Sequence, residues 1–150
     1  MKHSAGILFF RREPVLSVLL VHPGGPFWKN RDAGVWSIPK GEPGKDEDLF
    51  QVALRETEEE LGVKASGNFI ELSPVKQNPS KTVHAWALEM EVDASKVVSN
   101  IFEMEWPPRS GKRITVPEVD RAEWFTVEEA REKILPGQQP LLDQLVDLIK

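Results

Sequence analysis

A chain of 150 residues with 40% hydrophobic and 29% charged side chains has the make-up of a globular domain, not of a disordered or fibrous protein. The absence of cysteine excludes disulfides, thiolate metal sites and a cysteine nucleophile, and the longest apolar runs, such as residues 18–21, fall far short of a bilayer span. The net charge of −5 is concentrated: eight acids lie between Glu42 and Glu60 against only Lys45 and Arg55, which suits a cation site better than a polyanion-binding face.

Residues 5–10 and 14–21 are apolar and β-branched enough for strands, joined near Arg11, Arg12, Glu13 and Pro14. Residues 22–33, with Pro23-Gly24-Gly25-Pro26, have no period and read as a loop, and residues 35–38 as a short strand stopped by Pro39 and Gly41. From residue 48 to 61, Phe50, Leu54 and Leu61 recur at helical spacing, and Gly62 is the C-terminal stop. Residues 69–72, 82–92 and 101–106 read as further strands, with a turn at residues 109–112 and a return at 114–116. Trp124 and Phe125 end a last strand. Thr126 and Glu129 form a capping box for a helix to about residue 135, and after Pro136-Gly137 a final helix begins at Pro140 with Leu141, Leu142, Leu145, Val146 and Ile149 as its apolar face. No linker or repeat divides the chain, so residues 1–150 are expected to form a single α/β (α+β) domain with a mixed sheet between helices.

The chemistry concentrates on the first helix. At about 100° per residue, Glu59 and Glu60 fall about −60° and +40° from Glu56, beside the stripe of Phe50, Leu54, Thr57 and Leu61, while Glu58 points away. Such crowded carboxylates destabilise a helix by a few tenths of a kcal/mol per pair, and a divalent cation would turn that repulsion into binding. The three histidines, His3, His22 and His84, are widely separated, so oxygen ligands point to Mg²⁺ or Mn²⁺ instead of zinc.

Gly41, Glu47, Arg55, Glu56, Glu59, Glu60 and Gly62 match the pattern G-x5-E-x7-R-E-U-x-E-E-x-G-U, with U aliphatic. On this motif, residues 41–63, the chain resembles the Nudix hydrolases. Val63 fits the last U position, and Thr57 stands where an aliphatic residue is usual. Residues 35–41 resemble the lead-in to the Nudix helix, and the stretch from Glu118 to Phe125 resembles the family's late strand. The resemblance implies an αβα sandwich and Mg²⁺- or Mn²⁺-dependent hydrolysis of a nucleoside diphosphate linked to another group. It implies metal ligation by Glu56 and Glu60, with Glu59 a further ligand or a base through water. Arg55 would orient a carboxylate, and a main-chain oxygen at Gly41 would reach the cation. The Pro39-Lys40-Gly41 lead-in is similar to that of the diadenosine polyphosphate hydrolases, with Lys40 either a phosphate contact or an exposed turn lysine.

The general base is open between Glu59 and Glu118, with Glu103 and Glu105 weaker candidates. Glu118 stands six residues ahead of Trp124, where it resembles an acid used by some family members. Trp28, beside Phe27 in the irregular loop, either stacks on a nucleobase or packs the loop. Arg109, Lys112 and Arg113 form a basic turn that is either a solvated hairpin tip or a grip on a terminal phosphate. Trp86 and Trp124 read as core, and His84 as a hydrogen-bonded strand residue.

The expected protein is a metal-dependent pyrophosphohydrolase acting on a small-molecule nucleotide. A sanitising triphosphatase, an ADP-ribose-type pyrophosphatase and an RNA 5′-end pyrophosphohydrolase are rivals within the class. The near-neutral charge outside the acidic segment disfavours long nucleic acid. A ligand-sensing or protein-binding module without turnover is the rival from another class. No leader precedes residue 5, which makes a cytoplasmic protein without membrane attachment the expectation. No pattern specifies an oligomeric state.

Overall fold

The strand β1 (Lys2–Arg11) buries every residue from Ser4 to Phe10, which marks a strand covered on both faces. The computed structural model describes residues 1–149. After β1 come β2 (Ser17–Pro23), β3 (Lys40–Gly41), α1 (Leu49–Leu61), β4 (Phe69–Glu71), β5 (Val75–Asn78) and β6 (Lys81–Glu89). Then follow β7 (Ile101–Glu105), β8 (Arg113–Pro117), β9 (Val119–Thr126), α2 (Val127–Lys133) and α3 (Gln139–Ile149), with 3-10 turns at Ala94–Lys96 and Pro136–Gln138.

The main sheet runs β4-β6-β1-β2-β9, with β3 paired to β1 and β5 to β6, while β7 and β8 form a separate hairpin. It is mixed: β1 lies parallel to β6 from Lys2↔Lys81 to Phe10↔Glu89, and its other partners are antiparallel. Successive β1 side chains serve opposite faces. Ile7 and Phe9 pack with Val52, Ala53 and Leu61 of α1, and Leu8 and Phe10 pack with Trp36, Ala130, Ile134, Leu141 and Leu145 on the α2 and α3 side. This is the αβα sandwich with a mixed sheet that the sequence implies. Among the described residues no helix is long and apolar enough to cross a membrane.

Two expectations change. Residues 35–38 do not run as a strand, because their partners change at each step. The Trp36 N–H donates to the Lys133 carbonyl, and its own carbonyl accepts from the Leu135 N–H. Ser37 and Val21 instead exchange N–H···O bonds of 2.8 and 3.0 Å. β5 was not expected at all, since its residues Val75-Lys76-Gln77-Asn78 lack an apolar alternation, and it exists through pairing with β6. The first change positions the site. β1 and β2 pair only near their hairpin, at Phe10↔Val18 and Arg11↔Ser17. Beyond it the segment from Ser37 to Gly41 wedges between them, bonding Val21 on one side and Ile7, Gly6 and Ala5 on the other.

Candidate active site

α1 begins at Asp48, whose carboxylate accepts from the main-chain N–H of Phe50 (3.3 Å) and Gln51 (3.2 Å), and it stops at Gly62 in the left-handed region with φ 71°. Its buried face is Val52, Ala53, Thr57, Glu60 and Leu61. Glu60 therefore lies inside the core-facing arc and not beside it. The expected apolar spacing, which had Ala53 between Phe50, Leu54 and Leu61, omitted Val52, and Val52 with Ala53 carries the buried face round to Glu60. Glu58 is exposed, as its helical position implies.

Arg55 organises the acids around it. It donates from Nε (2.7 Å) and Nη2 (2.8 Å) to the two oxygens of Glu47, a bidentate pair, and from Nη1 to Glu56 (2.9 Å) and to both Glu59 oxygens (3.2 Å). The Arg55 guanidinium, followed by the Gly44 N–H, holds the Glu47 carboxyl down at about 2. Gly41 leaves room for Glu56: a Cβ there would stand 2.0 Å from the Glu56 carboxyl carbon, and the side chain would have to move aside.

Burial pushes the Glu60 carboxyl up to about 8, against the Lys40 ammonium and a 3.3 Å hydrogen bond from the Lys40 main-chain N–H. Burial also raises Glu56, helped by the charge of Glu59 and opposed by Arg55. Lys40 is shifted the other way, its ammonium destabilised by burial and then by Lys81. Glu118, in the connection between β8 and β9, completes the cluster: carboxylate oxygens of Glu56, Glu60 and Glu118 all lie within 4.8 Å of one another. Two carboxyls disfavoured as anions beside a third acid form a set short of positive charge. Its donors are all hard oxygens, which fit Mg²⁺ or Mn²⁺.

Glu60 and Glu118 open onto a cavity of about 300 Å³ whose wall also includes Lys40, Trp28, Gln77, Val35, Ile38 and Leu135. A more open cleft beside it shares Trp28, Glu60 and Glu118 and adds Phe102. Of the residues singled out in the sequence, Lys40, Trp28, Glu60 and Glu118 thus meet at one cavity. Glu59 stays with Arg55. Arg109 sits at the tip of the β7–β8 hairpin, exposed, where its N–H and that of Gly111 donate to Glu105 (both 3.0 Å). Glu103 lies 3.9 Å from Arg113 on that hairpin. His84 bonds His3 at 3.0 Å, and Trp86 and Trp124 pack against the α1-side core.

Sequence reasoning passed over two residues. Asn100 donates from Nδ2 to Glu118 (3.3 Å), while its main-chain groups bond Glu59 and Glu118. Gln77 reaches the cavity from the unforeseen β5. Neither carries a local signal, because each acts through a partner distant in sequence.

A family model described as NUDIX domain matches residues 2–145. The chain belongs to the NUDIX family. It is a hydrolase acting on phosphoanhydride bonds. Similar solved structures include a C. elegans Ap4A hydrolase binary complex, 20% identical with a TM-score of 0.69 over 99% of this chain and 98% of that one. The NUDIX domain of Shewanella oneidensis NrtR complexed with ADP ribose is 18% identical with a TM-score of 0.69, covering 100% of this chain and 89% of that one. The E. coli ORF135 protein is 22% identical with a TM-score of 0.61 over 99% and 92%. At these identities the likeness is one of fold.

Proposed function

We propose that the protein hydrolyses a pyrophosphate linkage in a nucleoside polyphosphate, or in a nucleoside diphosphate joined to another group, with Mg²⁺ or Mn²⁺ held by Glu56 and Glu60. The convergence of Glu56, Glu60 and Glu118 beside a cavity that also holds Lys40 and Trp28 supports this reading above all else. The cation, when bound, neutralises phosphate charge at a surface that is otherwise acidic. Arg55 fixes Glu47 and Glu56, the Lys40 ammonium takes a phosphate oxygen, and Trp28 offers its face to the base.

Glu118 is the preferred base. One of its oxygens is anchored by Asn100 and the other has no partner among the described residues, whereas both Glu59 oxygens accept from Arg55. Water bonds to phosphorus as the bridging P–O bond breaks, one proton passes to the Glu118 carboxylate, and the leaving phosphate departs as an anion.

The test is a panel of Ap4A, ADP-ribose and nucleoside triphosphates with Mg²⁺, read as phosphate release with and without added inorganic pyrophosphatase. Metal-dependent turnover is expected, lost in Glu60→Gln and retained in Glu58→Gln. Glu118→Gln should lower kcat by roughly a hundredfold or more with Mg²⁺ affinity kept. A parallel loss of metal affinity would make Glu118 a ligand. Equal losses in the Glu58 and Glu60 variants would remove the site from α1, and nucleotide binding without turnover across the panel would mean a sensing module.

A further inference from the structure

His22 is fully buried near the end of β2, and both of its ring nitrogens meet acceptors. Nε2 lies 2.6 Å from the Arg31 main-chain carbonyl, and a carbonyl oxygen can only accept. Nδ1 lies 2.9 Å from Oδ1 of Asp120, whose side chain keeps 32% of its surface in water and stands as a carboxylate, an acceptor too. A neutral imidazole has one N–H and satisfies one of these partners; an imidazolium satisfies both. A bulge brings Asp120 there. β9 sets Arg121 against His22 and Val119 against Pro23, so Asp120 is the extra residue and turns out of the ladder toward the ring. The other charges nearby are engaged elsewhere. Asp32 accepts from the Trp36 indole N–H (2.9 Å) and from Lys133 of α2, Arg121 lies 5.1 Å over the Trp36 ring, and the Arg31 guanidinium lies 4.5 Å over Phe27.

The Arg31 carbonyl belongs to the loop that carries Trp28. Two main-chain bonds close this loop on itself: the Trp28 N–H donates to the Gly25 carbonyl (3.3 Å), and the Arg31 N–H donates to the Trp28 carbonyl (2.9 Å). The Arg31 guanidinium also lies 5.8 Å from the centre of the Trp28 ring. At its start the loop is fixed by the Gly24 N–H on the Glu118 carbonyl (2.9 Å), and at its far side by His22 on Arg31. Trp28 lines both the cavity and the open cleft beside the acids. We infer that His22 is a positioning residue: as an imidazolium clamped between Asp120 and Arg31 it holds the loop, and loss of one proton releases Arg31 and with it the Trp28 side of the cavity. The remaining N–H stays with Asp120, because a bond to a carboxylate is stronger than one to a carbonyl, so the loop is the partner that is lost. This deepens the proposed nucleotide hydrolysis and rests on Trp28 serving the nucleotide. Rising pH then weakens nucleotide capture while Glu56, Glu60 and Glu118 stay together.

The test follows the two His22 ring nitrogens by NMR as pH rises, together with the exchange protection of the Arg31 and Trp28 amides and the Kd of ADP with Mg²⁺ by calorimetry. Both nitrogens should carry protons at the acid end. As one proton leaves, Arg31 protection should fall about tenfold or more, the loss of one hydrogen bond from a charged donor, and ADP should weaken in step. The discriminating variant is Asp120→Asn. Its amide can donate to Nδ1 of a neutral ring, which keeps the Nε2 proton for Arg31, so protection and ADP affinity should stay level across the same range. Comparison with that variant removes the pH effects common to both proteins. His22→Phe should show the released loop at every pH; thermal unfolding checks that it is folded, and should it fail, Asp120→Asn decides alone. A wild-type ring that never holds both protons, Arg31 protection unmoved by its titration, or the same fall in Asp120→Asn would overturn the inference. The expected protection changes without ADP binding would leave the clamp standing and reject the nucleotide reading of the site, while turnover with unmoved protection would do the reverse.

Discussion

Thr57 buries its hydroxyl on the sheet-facing side of α1, and Oγ1 has no hydrogen-bond partner among the described residues. Leaving such a group unpaired costs about 1–3 kcal/mol, and valine has nearly the same shape without the penalty. Thr57→Val should therefore raise the unfolding free energy by about 1 kcal/mol, measured in urea, with turnover unchanged. A loss of stability would show that the hydroxyl has a partner after all. Glu47 gives the acid-side prediction. Its pKa falls from an ordinary 4.5 to about 2 because Arg55 and the Gly44 N–H hold the carboxylate. The stability it contributes is complete above about pH 4.5 and fades as pH drops through 2. Unfolding midpoints taken between pH 6 and 2 should fall less steeply in Glu47→Gln than in the wild type, and identical slopes would remove Glu47 as the cause. At this scale the resemblance implied that Arg55 orients a carboxylate without saying which; the partners are Glu47, eight residues away, and Glu56 and Glu59 on its own helix. It was silent on Gln77, whose partner Gln138 is 61 residues away.

Among the elements, α1 and its lead-in depend on each other. The Gly41 main chain leaves the Glu56 carboxylate its place, with 2.0 Å between that carboxyl carbon and any added Cβ. Gly41→Ala should then displace Glu56 while Asp48 and Gly62 still bound the helix. The expected outcome is unchanged helical circular dichroism with Mg²⁺ affinity reduced tenfold or more, by calorimetry; unimpaired affinity would mean that β3 yields instead. α1 was legible because its cap, its stop and its apolar spacing are all local. The capping box of α2 was legible for the same reason, since Thr126 and Glu129 bond each other within one turn. Residues 35–38 looked like a strand because Val, Trp and Ile suit one. Whether a ladder forms depends on neighbours, and here those are α2 on one side and β2 on the other. The position of Glu60 within the buried arc was missed because a carboxylate is not counted when a hydrophobic stripe is drawn.

For the whole molecule, two apolar clusters on opposite faces of the sheet hold the fold without help from an ion. Metal should accordingly stabilise a protein that already folds. At ten times its Kd, Mg²⁺ adds about 1.4 kcal/mol by mass action, a rise of a few degrees in Tm, and Glu56→Gln/Glu60→Gln should lose most of it. An equal shift in both proteins would place the ion elsewhere. The pairing of β1 with β6, and of β2 with β9, joins residues 2–10 to 81–89 and residues 17–23 to 119–126. That is a high contact order, and the apolar first strands must wait for partners that the ribosome makes much later. α1 and its acids can form while the chain is still short, but Glu118 reaches them only once β9 has docked on β2. The full acid cluster therefore arrives with the last strand of the sheet, and a chain interrupted before β9 holds Glu56 and Glu60 without the third carboxylate.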